Sequence, residues 1–131
     1  YPRLITPHAG EAARLLGEEW RLLEVDRLAT ARRLTMFGAA IYKGTHPVIA
    51  GPELHIVRGG NSVLGMGGSG DVLAGVCGGL AANARRDAQF SFEAVALAAT
   101  WLQQAAASVC AVGTLPSEVA RAIPLVRANL Y

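Results

Sequence analysis

The stretch that decides the fold is SVLGMGGSGDVLAGV, residues 62–76, in which five glycines surround one acidic residue, Asp71. Glycine lets the backbone adopt positive φ and approach a ligand closely. The apolar run that follows predicts a helix over 69–84, directly after the glycines. A helix N-terminus offers unpaired N–H groups and a partial positive charge, so this segment predicts a site for a phosphate or a transferring phosphoryl group.

Asp71 lies in the first turn of that predicted helix. Beside a bound phosphate, a carboxylate is repulsive unless it takes part in the chemistry, for example by accepting a proton from a substrate hydroxyl. Two other interpretations stay open at this point: a glycine turn with Asp71 as its helix N-cap, and the dinucleotide pattern G-x-G-x-x-G at Gly65, Gly67 and Gly70. The Walker A pattern is absent, because no Gly-Lys-Ser/Thr follows the loop.

Lys43 is the only lysine in the chain and follows the apolar strand sequence AAIY. At the carboxyl end of a strand it predicts either a contact to nucleotide phosphate or an edge side chain that extends into solvent. His8, in the turn of TPHAGE, is either a substrate contact or a solvated loop residue. His46 and His55 lack the spacing of metal ligands, and neither is predicted to be one.

The composition is 52% hydrophobic and 17% charged, with a mean hydropathy of +0.32. This apolar excess argues against disorder and predicts burial against another part of the domain or another subunit. No uninterrupted apolar stretch reaches the length of about 18 residues that a membrane-spanning helix needs. Eleven of the twelve basic residues are arginines without a basic stripe or interleaved aromatics, so no nucleic-acid partner is expected.

The two cysteines, Cys77 and Cys110, lie far apart in apolar helical patterns. We expect free thiols and a reducing, cytoplasmic location. The chain begins at YPRLITP, already in a predicted strand and without an initiating methionine, which leads us to expect a preceding N-terminal portion. Residues 1–131 are therefore expected to be one domain or the C-terminal half of a larger one.

Apolar spacing and breaker residues predict the order of strands and helices. Strands are expected at 3–6, 39–44, 47–51 and 54–58, and helices at 9–17, 20–37, 69–84, 92–112 and 115–130. The last helix is expected to be kinked or split at Pro124. Strands that alternate with helices, around a short β-meander, predict an α/β fold in which helices cover a largely parallel sheet.

Three segments in this order, ITPHAGEAARLLG, IYKG and GMGGSGDVLAGVCGGLAA, resemble the C-terminal half of the ADP- or ATP-dependent NAD(P)H-hydrate dehydratases, which belong to the ribokinase-like superfamily. The similarity extends to DRLATARRL, SFEAVALAATWL and LPSEVARAIPLVRANL, and so covers nearly the whole chain. It implies a ribokinase-like fold and the repair of NADH or NADPH hydrated on the nicotinamide ring. In that reaction the nucleotide phosphorylates the ring hydroxyl, and phosphate is then eliminated.

The resemblance also implies roles for single residues. His8 and Asp71 would contact the hydrated dinucleotide, with Asp71 as the catalytic base, and no side chain is expected to bind a metal directly. The residues expected at the nucleotide are Lys43, Gly44, Thr45, His46, Pro47, Gly67, Gly68, Ser69 and Gly70. ADP or ATP would be the co-substrate, with Mg²⁺ as the partner of its phosphates. A homo-oligomer without a membrane partner is expected.

Two places depart from the family's usual sequence. Pro47 stands where threonine is usual and removes both a hydroxyl and an N–H group, while Gln103 and Gln104 stand where a His-Gly pair is often found. Two further functions remain alternatives: a ribokinase-like kinase for a sugar or a vitamin alcohol, which would use the same loop and acid, and a non-catalytic domain that binds nucleotide or mediates oligomerisation.

Overall fold

The computed structural model describes residues 3–129, which form a four-stranded sheet and six α-helices. The strands are β1 (Leu4–Ile5), β2 (Ala39–Tyr42), β3 (Val48–Ala50) and β4 (Leu54–Ile56). The helices are α1 (Ala9–Leu16), α2 (Trp20–Val25), α3 (Arg27–Leu34), α4 (Ser69–Ala84), α5 (Phe92–Ser108) and α6 (Pro116–Ala128). Two short 3-10 helices occupy Thr35–Phe37 and Ser62–Gly65.

The sheet has the strand order β1-β2-β3-β4. Only the β1–β2 pair is parallel, and both the β2–β3 and the β3–β4 pairs are antiparallel. The expectation of a largely parallel sheet is therefore wrong for this part of the chain, whereas the expected short β-meander is confirmed as β2 to β4. The reason is the length of the connections: α1 to α3 form the crossover that a parallel pair requires, whereas 43–47 and 51–53 are hairpin turns.

Helices cover both faces of the sheet, and the side-chain alternation of its two central strands shows why. In β2, Ala40 and Tyr42 pack with residues of α1 to α3, while Ile41 packs with residues of α4 and α5. In β3, Ile49 likewise faces α4 and α5. All of these side chains are fully buried, and each buried isoleucine contributes roughly 1.5–3 kcal/mol. The expected α/β class, with helices covering the sheet, is confirmed.

The single helix expected over 20–37 is interrupted at Asp26. This residue has φ −134° and ψ 90°, ends α2, and begins α3 by accepting the N–H of Ala29 at 3.0 Å. A short acidic side chain can accept a hydrogen bond from a nearby backbone N–H, and this favours the start of a helix over a position inside one. The helical spacing of apolar residues continues through Asp26, so the spacing alone predicts one uninterrupted helix.

The C-terminal helices differ from expectation mainly at their ends. α5 ends at Ser108 rather than Val112, and α6 runs from Pro116 to Ala128 as one helix with Pro124 inside it, so it is not split there. The predicted end of this last helix, at residue 130, lies outside the described residues. α6 packs on α5 through a third apolar cluster that includes Val119 and Ile123.

Both cysteines are free thiols, as expected. Cys77 is buried between α4 and the sheet, and this burial raises the pKa of its thiol to about 11. It is therefore protonated at neutral pH and a poor nucleophile. Within residues 3–129 no helix combines the length and the apolarity needed to cross a membrane.

Candidate active site

A cleft of about 580 Å³ lies where the carboxyl end of β2 meets the N-terminus of α4. Seven of the residues expected to bind substrate or nucleotide line it: His8, Lys43, Gly44, Thr45, Pro47, Ser69 and Gly70. Four others do not line it, although they are neighbours in sequence: His46, Gly67, Gly68 and Asp71. The cleft thus brings together three segments that are distant in sequence.

The glycine segment forms the start of α4. Gly68 is the N-cap and has φ 98°, a conformation that side chains other than glycine rarely adopt. Asp71 occupies the third helical position and is exposed, so the interpretation of Asp71 as an N-cap is wrong. Within residues 3–129 the N–H groups of Gly67 and Gly70 donate to no acceptor. Free N–H groups at a helix N-terminus form a site for an anion.

Lys43 lies opposite this helix start. Its Nζ is 3.0 Å from the position that a Cβ on Gly70 would occupy, and 3.9 Å from a carboxylate oxygen of Glu11. The backbone N–H of Lys43 donates to the carbonyl of Pro7 at 2.9 Å, which continues the β1–β2 pairing up to the cleft. Because only glycine leaves this space open, the ammonium group can approach the first turn of α4.

Arg27 holds the backbone on the other side of Lys43. Its guanidinium group donates to the carbonyl oxygens of Tyr42 and Lys43, at 3.1 and 3.2 Å, and pairs with both carboxylate oxygens of Glu24 at 2.8 and 2.9 Å. It also lies 4.1 Å from the centre of the Tyr42 ring. A Cβ on residue 44 would overlap this group, so any side chain there would displace the guanidinium from its hydrogen bonds.

His8 caps α1 rather than standing free in a loop. Its ring Nδ1 accepts the backbone N–H of Glu11 at 3.2 Å, and the backbone N–H of His8 donates to the Glu11 carboxylate at 2.8 Å. An accepting Nδ1 carries no proton, so in the neutral ring the proton is on Nε2. The imidazole is more than half exposed and lines the cleft, where Nε2 can donate to a ligand.

The segment after Lys43 is held by backbone contacts. The carbonyl of Pro47 accepts the N–H of Val57 at 3.0 Å, and Pro47 is itself buried. Nδ1 of His46 accepts the N–H of Gly59 at 3.1 Å, which directs His46 toward its own chain rather than into the cleft. Of the residues expected here, Thr45 and Pro47 line the cleft and His46 supports it.

Two buried polar residues of α5 form part of the cleft and were not predicted as site residues. Gln103, which is 6% exposed, donates from Nε2 to the carbonyl of Ser69 at 2.7 Å and so ties α5 to the first turn of α4. The hydroxyl of Thr100 is buried and has no hydrogen-bond partner within residues 3–129. Between Glu93 and Ser108 at its two ends, α5 carries polar side chains only at 100, 103 and 104, and this spacing was the available sign of a site face.

Comparison with known proteins finds a matching family model and similar sequences. A family model described as NAD(P)H-hydrate dehydratase matches residues 1–125. The ADP-dependent (S)-NAD(P)H-hydrate dehydratase of Neisseria meningitidis serogroup B is 40% identical over 129 residues, which cover 91% of this chain and 42% of that protein. The bifunctional NAD(P)H-hydrate repair enzyme of Escherichia coli is 49% identical over 82 residues, covering 60% of this chain and 16% of that protein.

Solved structures give the same result for the fold. The ADP/ATP-dependent NAD(P)H-hydrate dehydratase of Bacillus subtilis, crystallised with ATP and Mg²⁺, superposes with a TM-score of 0.87 at 27% identity, over 99% of this chain and 48% of that one. A ribokinase-like superfamily protein of Enterococcus faecalis superposes with a TM-score of 0.76 at 28% identity, over 98% of this chain and 45% of that one. The chain thus spans about half or less of the proteins it matches, and its ribokinase-like fold is confirmed. By the match over residues 1–125, this chain belongs to the NAD(P)H-hydrate dehydratase family.

Proposed function

We propose that this protein takes part in the ADP- or ATP-dependent dehydration of hydrated NADH or NADPH. The terminal phosphoryl group of the nucleotide is transferred to the ring hydroxyl, and elimination of phosphate then restores the reduced nicotinamide. Family membership supports this reaction, and so does a cleft that places a lysine and a helix N-terminus around one open space.

The single observation that carries the proposal is the approach of Lys43 Nζ to the backbone of Gly70. An ammonium group beside unpaired N–H groups favours a polyanion that contacts both of them. The nucleotide phosphates bind there, in contact with Lys43, Ser69 and Gly70. Thr45 and Pro47 line the neighbouring part of the cleft.

Asp71 is the proposed base. It follows Gly70 directly on the first turn of α4 and is exposed, so its carboxylate is open to a substrate that approaches the proposed phosphates from outside the cleft lining. It accepts the proton of the ring hydroxyl as that oxygen bonds to the transferred phosphorus and the bond to the leaving nucleotide breaks. His8 binds the hydrated dinucleotide by donating from Nε2.

Mg²⁺ fits this site only through the nucleotide. No aspartate or glutamate of the described residues lines the cleft, and magnesium prefers oxygen ligands, often several waters together with substrate phosphates. When bound, the ion would neutralise phosphate charge, and its oxygen ligands would come from phosphate and water. Gly67 and Gly68 act through the backbone around the phosphates, and His46 supports the cleft through the hydrogen bond that its ring accepts from Gly59.

The test is product analysis with the protein expressed from its complete reading frame. Hydrated NADH and ADP or ATP should yield NADH, inorganic phosphate and the shortened nucleotide, and comparison of ADP with ATP gives the preferred donor. A stable phosphate ester of a sugar or a vitamin alcohol, with no NADH formed, would instead identify a kinase. Absence of turnover under conditions where a family member is active would leave a nucleotide-binding role only.

We further propose a cytoplasmic homo-oligomer. Two free thiols suit a reducing compartment. The outer surface of α2 and α3 exposes Trp20, Leu22, Val25 and Leu28, by 45, 66, 84 and 42% respectively. An exposed apolar surface of this kind is typical of a subunit interface. Measurement of the molar mass in solution tests whether the protein is an oligomer.

A further inference from the structure

Three potential metal-binding side chains meet outside the cleft, at the edge of the sheet formed by β4. They are Glu53, in the turn before β4, His55 on β4, and Glu93 in the first turn of α5. One donor atom from each lies within 4.8 Å of the others, and none of the three lines the cleft. Spacing along the chain does not reveal this cluster, because Glu93 lies 38 residues after His55 and the packing of α5 on the sheet joins them.

The distances suit a small cation. Nε2 of His55 is hydrogen-bonded to Oε1 of Glu93 at 3.0 Å, a contact that a bound ion would replace, and is 3.9 Å from Oε2 of Glu53. In tetrahedral zinc sites with bonds of about 2.0–2.2 Å, ligand atoms lie about 3.3–3.5 Å apart. The two distances lie on either side of that value. The side chain of Glu53 is 77% exposed, and its rotation would allow all three donor atoms to bind the same ion.

The residues around Glu93 hold its carboxylate in a fixed position. The second carboxylate oxygen of Glu93 accepts the backbone N–H of Glu53 at 3.2 Å, as the carboxylates of metal sites commonly do. A Cβ on Gly51 would overlap that same oxygen, so the turn leaves room for the carboxylate only because residue 51 is glycine. Glu93 is only 17% exposed and is therefore held in one place.

The charge at this position favours a cation. Within residues 3–129 no lysine or arginine forms an ion pair with Glu53 or Glu93, and His55 is the basic side chain that pairs with them; Arg3 lines a small cavity together with Glu93 without forming an ion pair with it. Two carboxylates beside one imidazole leave a net negative charge on this group, and no permanently charged side chain of the described residues pairs with it. Imidazole nitrogen is a ligand for zinc, copper and nickel rather than for magnesium or calcium, which prefer oxygen throughout.

We propose that Glu53, His55 and Glu93 bind one divalent transition-metal cation of the Zn²⁺ class, with water completing the coordination. The ion joins the β3–β4 turn and β4 to the start of α5, and so acts as a clamp between the sheet edge and the helix. The site is independent of the nucleotide reaction, and its failure would leave the proposed function unaffected.

The test is calorimetric titration of the purified protein, expressed from its complete reading frame, with ZnCl₂ in a buffer that does not bind zinc. We expect one tight Zn²⁺ per chain, and a loss of affinity of at least about tenfold in His55→Gln and in Glu93→Gln. Glu53→Gln should have a smaller effect, because its carboxylate must move to reach the ion. The matched control is His46→Gln, which removes a histidine elsewhere and should leave Zn²⁺ binding unchanged.

Binding that is absent in the unsubstituted protein, or unchanged in His55→Gln, would overturn the proposal. If the variants fold poorly without metal, the unsubstituted protein answers the question by NMR. Zn²⁺ should then shift the ring signals of His55 and leave those of His8 and His46 in place. Shifts confined to His8 or His46, or no shift at all, would equally contradict the site.

Discussion

The ammonium group of Lys43 lies 3.0 Å from the point that a Cβ on Gly70 would occupy. The carboxyl end of β2 and the first turn of α4 therefore face each other across a space that a side chain on residue 70 would reduce. Lys43 is three-quarters buried, and Glu11, at 3.9 Å, is the carboxylate that holds it there. The cleft is thus shaped for an anion before any ligand enters.

Replacement of Lys43 tests whether this space binds phosphate. Lys43→Ala removes the only ammonium group of the cleft-lining residues and is expected to weaken ADP binding by about 10- to 100-fold, the value of one charged hydrogen bond. Calorimetric titration with ADP gives the measurement. Arg14→Ala, an exposed substitution in the last turn of α1 with the same change in net charge, should leave the affinity unchanged. An equal loss of ADP affinity in both variants would show that only the net charge matters, and would contradict a direct contact of Lys43 with phosphate.

Two glycines of α4 provide a matched pair. A Cβ at Gly70 would meet Lys43 Nζ at 3.0 Å, whereas a Cβ at Gly75 has nothing within 4 Å. Gly75→Ala is expected to raise the free energy of unfolding by up to about 1 kcal/mol through helix propensity, without changing ADP affinity. Gly70→Ala should weaken ADP binding several-fold while the protein stays folded. Denaturant unfolding and ADP titration of both variants separate the two effects, and identical ADP affinities would argue against phosphate at Gly70.

Arg27 is expected to be the arginine most important for stability near the cleft. Arg27→Ala leaves two carbonyl oxygens without their donor and Glu24 with only the Tyr42 hydroxyl, which should cost about 2–3 kcal/mol of unfolding free energy. It should also weaken ADP binding, because the backbone of Lys43 and Gly44 loses its support. Arg33→Ala breaks an exposed ion pair with Glu18 and serves as the control. Urea midpoints that fall equally in both variants would contradict the assigned role.

Tyr42 gives a pH dependence with a defined sign. Burial, and then the hydrogen bond that its hydroxyl donates to Glu24, raise its pKa from 10.0 to about 12. The protonated phenol is favoured in the folded state, so its contribution to stability is complete below pH 10 and is lost as the pH rises toward 12. Absorbance titration should show one tyrosine that ionises late, and Tyr42→Phe should remove that component. A single transition near pH 10 for every tyrosine would contradict this environment.

Local patterns predicted the elements that build the cleft. His8 and Gly17 are the ends of α1, and Ser69 begins α4, because capping residues and glycine act over a few positions. The break at Asp26 was missed, since the apolar spacing continues through it. The short turns also predicted the β-meander of β2, β3 and β4, because short turns join antiparallel strands, whereas the expectation of a largely parallel sheet was wrong for this part of the chain.

The candidate site was predictable only where its residues are local in sequence. The glycine segment and Lys43 were identified because glycine clusters and an isolated lysine have few structural explanations. Thr100 and Gln103 reach the cleft from α5, and Glu93 reaches His55 from the same helix. Contacts of this kind depend on how α5 packs against the sheet, which no spacing within the sequence encodes.

The most direct test of the central claim is the turnover of hydrated NADH by Asp71→Asn. With saturating ADP or ATP we expect kcat to fall by about 10²- to 10⁴-fold, as for loss of a general base, while nucleotide affinity stays the same. Asp87→Asn, an exposed substitution in the turn after α4, should retain full turnover. An Asp71→Asn variant with unchanged kcat would contradict the claim that this carboxylate takes the proton beside a phosphoryl group bound at Gly70.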